Sequence, residues 1–103
     1  MLPEYPMRSI RVRQPHQLSL AEAKGRIERA AQRAADQYRL IWRWVDGVLE
    51  VLPPPGMAKG AHGRLLLSEG AVHAEVELPG RYGLIQGRVE SRLAAKLQEL
   101  LGH

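Results

Sequence analysis

The chain contains no cysteine and no phenylalanine, and aromatic residues make up only 5% of it. Without cysteine there can be no disulfide, no thiolate nucleophile and no thiolate metal ligand, a composition that suits a reducing cytoplasm. With so few aromatics, a stacking platform for single-stranded nucleic acid is missing. Long apolar runs are missing too. None approaches the roughly 20 residues that a membrane-spanning helix needs, and the opening MLPEYPMRSIRVRQP lacks the apolar stretch of a secretory signal. The expectation is a cytoplasmic protein with no membrane span.

What is present is ordinary for a globular protein: 103 residues, 45% hydrophobic and 25% charged. That length predicts a single domain over 1–103, with an ordered core of about 8–101. The net charge of +4 is unevenly spread. Through Arg43 there are nine positive and four negative residues; from Trp44 onward there are six and seven. Three of the 15 basic residues are lysine, leaving 12 arginines, the side chain suited to bidentate contact with phosphate or carboxylate.

Arg8 to Arg13 alternate polar and apolar like a half-buried strand, which Pro15 and His16 should break. Ser19, three residues before Glu22, forms the S-x-x-E pattern of a capping box. The helix that follows, about 20 residues long, carries Leu20, Ala23, Ile27, Ala30, Ala31, Ala34 and Tyr38 on one side. Its alanines predict a close approach to whatever lies beneath. Residues 40–45 and 48–52 flank Asp46-Gly47, a strong hairpin turn. That register sets Arg43 opposite Glu50, Trp42 opposite Val51 and Trp44 opposite Leu49. After a Pro-rich loop over 53–59, a second hairpin (61–67 and 71–78) turns at Glu69-Gly70. It opposes Arg64 to Glu75 and His62 to Glu77, with Leu65 facing Ala74 and Leu67 facing Val72. A last helix is predicted over 83–101, with Ile85, Val89, Leu93, Leu97 and Leu100 as its apolar stripe, and Gly102 suits its C-terminal cap.

The predicted fold is therefore α+β, in the order β-α-β-β-β-β-α. It is a two-layer sandwich, with an antiparallel sheet and both helices on one face. The helix-facing set is Trp42, Trp44, Leu49, Val51, Leu65, Leu67, Val72, Ala74 and Val76, and both tryptophans are expected to be buried. Alanine-rich packing under the first helix is expected to leave little room for a ligand pocket.

No constellation for catalysis, cofactor or metal binding emerges. The histidines are His16, His62, His73 and His103; His62 and His73 share a strand face with Glu75 and Glu77, but solvated strand histidines are a far better explanation than a metal site. Ser19 is accounted for by capping and Ser68 by a turn, and no G-x-S-x-G or phosphate-loop pattern occurs. Arg26, Arg29 and Arg33 make a basic stripe that could follow a phosphate backbone, although Glu22 and Asp36 also fit a salt-laced solvent face. The other sheet face draws more interest. It joins Ile41, Val45, Val48, Leu52 and Leu66 to Arg43 and Arg64, which is too apolar for a fully wet surface. Either a third layer formed by the termini or the Pro-rich loop covers this face, or it is an interaction surface with Ile41, Arg43, Val45, Val48, Leu52 and Arg64 as candidates. If it stays uncovered, a homodimer through it is the expected assembly.

Taken together, Ile10-Arg11-Val12, His16, Leu18, Ala21-Glu22-Ala23-Lys24, the Trp44-to-Leu49 hairpin, Gly63-Arg64-Leu65, Leu84 and Val89-Glu90 resemble the polyhydroxyalkanoic acid system proteins, a small bacterial family. The resemblance covers about 8–101. It implies association with storage-polyester granules or their metabolism, with a granule or granule protein as partner, and it supplies no active-site residues. The resulting expectation is a non-enzymatic accessory protein. The alternatives are a nucleic-acid-binding protein using Arg26, Arg29 and Arg33, or a small-ligand-binding protein.

Overall fold

A computed structural model describes residues 8–56 and 60–102. Its elements run β1 (Arg8–Pro15), α1 (Leu20–Tyr38), β2 (Ile41–Val45), β3 (Val48–Leu52), β4 (His62–Ser68), β5 (Ala71–Leu78), a short 3₁₀ helix (Gly80–Ile85) and α2 (Gln86–Leu101). The five strands form one antiparallel sheet in the order β1-β5-β4-β3-β2. The architecture is α+β, as the sequence predicts.

Both hairpins adopt the predicted registers. Asp46 and Gly47 take φ of 50° and 79°, the two left-handed positions of a type I′ turn, whose twist matches that of the strands it joins. Arg43 then opposes Glu50, and Trp42 and Trp44 oppose Val51 and Leu49. Around Gly70, at φ 85°, Leu65 opposes Ala74 and Arg64 opposes Glu75.

β1 extends further than its alternation suggests, because Pro15 still pairs with Ala71 at the sheet edge. An edge position tolerates proline, whose missing N–H can face away from the ladder. His16 does not end the pairing by exclusion. It is buried, its backbone N–H donates to the Gly70 carbonyl at 2.9 Å, and its ring continues the link.

Ser19 caps α1 by accepting from the Glu22 N–H at 3.1 Å. The other half of the capping box does not form, because the Glu22 carboxylate takes a bond from Arg26. Only the middle of the predicted α1 stripe is deeply covered: Ala23 and Ile27 are buried, while Leu20 and Tyr38 are exposed. The C-terminal helix is shorter than predicted. Gly80–Ile85 winds as 3₁₀, leaving Leu84 and Ile85 exposed, and α2 begins at Gln86. Gly102 caps it by donating to the Gln98 carbonyl, at φ −78° and not in the left-handed region.

The core lies between the sheet and the helices, built by Ala23, Ile27, Leu49, Val72, Ala74, Leu97 and Leu101. Ile10 and Val12 of β1 face the same side, opposite Val76 and Ala74. The tryptophans do not meet the expectation of full burial. Trp44 is half-buried; its indole N–H donates to Glu28 at 2.7 Å, and the Lys24 ammonium lies over its ring at 4.9 Å. Trp42 is half-buried as well.

Leu49 has no solvent exposure and sits at the centre of this core. Leu49→Ala should lower unfolding free energy by about 2–5 kcal/mol, read as a drop in the midpoint of urea denaturation. The exposed change Leu84→Ala should leave the midpoint within experimental error.

Candidate functional site

Strand alternation sends every second residue to the face away from the helices. Across the middle of that face, the registers align Arg11, Glu75, Arg64, Glu50 and Arg43, one from each strand in spatial order. The signs alternate along the whole row. Arg64 meets Glu75 at 2.7 Å and Arg43 meets Glu50 at 3.6 Å. Each opposite-charge neighbour favours this register by about 0.2–1 kcal/mol, so the row acts as a clasp for the sheet.

Apolar groups flank the row. On one side lie Val45, Val48 and Leu66, continued by His73 and Arg13; on the other lie Ile41 and Leu52, followed by the His62–Glu77 pair at 3.7 Å. Ile41, Val45, Leu52 and Leu66 are 46, 39, 36 and 39% exposed. The six residues of the sequence-derived surface, Ile41, Arg43, Val45, Val48, Leu52 and Arg64, therefore share one face, joined by Leu66. What alternation alone hides is that a line of charges divides the patch, which only the order β5-β4-β3-β2 reveals.

The basic stripe of α1 fares differently. Arg26 donates to the Leu100 carbonyl at 3.0 Å and to Glu22 at 3.1 Å, tying α1 to the C-terminal end of α2. That carbonyl belongs to the last turn of a helix, which gains from a cation. Arg26 thus has a structural task, while Arg29 and Arg33 stay exposed. Among the described residues no group of three or more His, Asp or Glu is placed to hold a metal ion, and no helix is long and apolar enough to cross a membrane.

Sequence reasoning missed His16. Its Nδ1 accepts from the Leu18 N–H at 3.1 Å, so the proton of the neutral ring sits on Nε2, which donates to the Ser68 carbonyl at 3.1 Å. One side chain thereby ties the end of β1 to the β4–β5 turn and to the approach of α1. The signal was the isolated histidine just after a strand-ending proline, which spacing alone does not interpret.

The sequence profile of the polyhydroxyalkanoic acid system proteins matches residues 10–101. The chain belongs to that family. The match runs from β1 to the last residue of α2, so it spans the whole sheet and both helices. No curated protein and no solved structure matches the chain. The family description names a storage-polyester system and no reaction.

Reversing the middle of the charge row tests its role as a clasp. Arg64→Glu would put three carboxylates side by side and should cost about 1 kcal/mol of stability. The loss should shrink in 1 M salt, where screening is nearly complete. A loss of equal size at low and high salt would show that packing, and not charge, holds this row.

Proposed function

We propose that this chain is a non-enzymatic accessory protein of the polyhydroxyalkanoate storage system. It works in the cytoplasm, linked to the granules or their metabolism, and acts through surface contacts. Membership of the family over residues 10–101 carries the reading. The open sheet face supports it, because it offers apolar contact and ordered charge where a catalytic site would need converging reactive groups. Burying the charge row against bare polyester would strip its water and offer no counter-charge. A granule coated with protein or amphiphile offers both characters, and is the surface this face fits.

Co-sedimentation is the direct test. The protein should pellet with coated granules at low salt, release as salt rises, and bind bare polyester particles weakly. Arg43→Glu, at an exposed end of the row, should reduce retention several-fold. Failure to pellet with either particle at any salt would remove the granule-contact reading.

In the free protein, the same face pairs with a second copy. The alternating row supports one geometry over another. A two-fold axis along the strands that passes through a strand sets like charges against like, whereas one midway between two strands sets opposites together. Midway between β3 and β4, Arg64 meets Glu50 of the second copy, Glu75 meets its Arg43, and Leu66 meets its Val48. The overlap of four strands, about 4.8 Å apart and five residues long, covers roughly 19 by 17 Å. That is small for a stable interface, so the dimer exchanges and frees the face for the granule coat. Light scattering at tens of micromolar should show the dimer, and Val45→Glu or Val48→Glu should give monomers. A monomeric unmodified protein at that concentration would rule the pairing out.

A further inference from the structure

The helices do not cover their face of the sheet evenly. α2 lies along β1, and α1 lies over β2 and β4. Between them Val51, Leu65 and Trp42 remain half-buried despite facing inward. A hollow of about 260 Å³ opens there, floored by Val51, Gly63, Leu65 and Ala74 and walled by Leu40 and Leu93; its exposed lining is almost wholly apolar. Gly63 deepens the floor, because it has no side chain where its neighbours across the sheet, Val51 and Val76, point to the helices. A second hollow of about 160 Å³ continues beneath Ala30, Ala31 and Ala34 of α1. The two share Leu40, Val51, Leu65 and Leu93, and Lys96 stands at the second. Little room is expected beneath the alanines, and the hollow there is the smaller of the two. The alanines do bring α1 close, but the splay of α2 away from β3 and β4 leaves the space open.

We propose that this cleft binds an aliphatic chain of medium length with an anionic head group, the chain in the larger hollow and the head at Lys96. Water in such a hollow finds almost no polar partners, and an apolar cavity of about 150 Å³ is known to take up benzene. At about 30 Å³ per small group, the share one water has in the liquid, the larger hollow accommodates on the order of eight carbons. Lys96 fits the head. Its side chain is half-exposed and its ammonium lies 3.8 Å from the more exposed Glu99, a long surface pairing that leaves it able to turn to a carboxylate at the cleft. Neither the charge row nor the granule contact is involved, and the inference stands apart from the accessory role.

Calorimetric titration of the full chain with butanoate, hexanoate and octanoate tests it, with 1-octanol as the neutral-headed probe. Affinity should rise about fourfold per added methylene up to octanoate. Lys96→Glu should weaken octanoate several-fold and leave 1-octanol unchanged. Gly63→Leu should abolish binding of both, while Gly63→Ala, whose new Cβ meets its neighbours at ordinary distances of 3.7–3.9 Å, should preserve the fold and most of the binding. Should Gly63→Leu not fold, methyl NMR of the unmodified protein decides. Octanoate should shift Val51, Leu65 and Leu93. Shifts at Val48 and Leu66 on the opposite face, or affinity that ignores chain length, would overturn the proposal. Either result would leave the granule co-sedimentation outcome untouched.

Discussion

Pairing of β1 with β5 is the constraint on which the other contacts depend. It brings the first strand beside the last, so the hairpin series from β2 to β5 must cross the sheet and return to where the chain began. α1 and α2 then leave neighbouring strands and settle on one face, and α2 finds β1 as its main support. His16 reinforces the junction with its backbone N–H and both ring nitrogens. Such non-local pairing forms only after a long loop has closed. The hairpins, by contrast, are local and can wait for it already assembled.

How much of this was legible follows from the range of each interaction. Both hairpin registers could be read residue by residue, because turn chemistry and cross-strand charge pairs are local and agree: Arg43 with Glu50, Arg64 with Glu75. Alternation assigned Ile41, Val45, Val48 and Leu52 to the outer face for the same reason. The charge row was hidden, since Arg11 and Glu75 become neighbours only through the β1–β5 pairing. The Ser19 start of α1 and the Gly102 end of α2 were legible, but the start of the last helix was not: it begins at Gln86 and not at 83. The stripe containing Ile85 has helical spacing, but Gly80, Gly83 and Gly87 surround that stretch and a 3₁₀ turn takes it. The cleft could not be foreseen, because Gly63 opens it only where α2 lies along β1 and leaves the middle of the sheet uncovered.

The two faces of the sheet are built on opposite principles. The outer face is flat and ordered by charge, with its aliphatics held apart by the row from Arg11 to Arg43. The inner face is ordered by shape, with the alanines of α1 facing it and a glycine in the floor where a larger side chain would fill the space. Family membership ties the chain to storage-polyester biology, and the two faces differ in kind: one carries a row of charges, the other an apolar hollow.

The two tryptophans have a practical consequence. Both lie on β2 under α1, and the chain has no phenylalanine and three tyrosines. Trp42 lines the smaller hollow, while the Trp44 indole is hydrogen-bonded to Glu28 beneath the Lys24 ammonium. Near-ultraviolet emission from this protein therefore originates almost entirely at one edge of the helix layer. The molecule carries its own optical probe of how α1 sits on the sheet, with one indole reporting on the cleft and the other on the electrostatics of the helix above it.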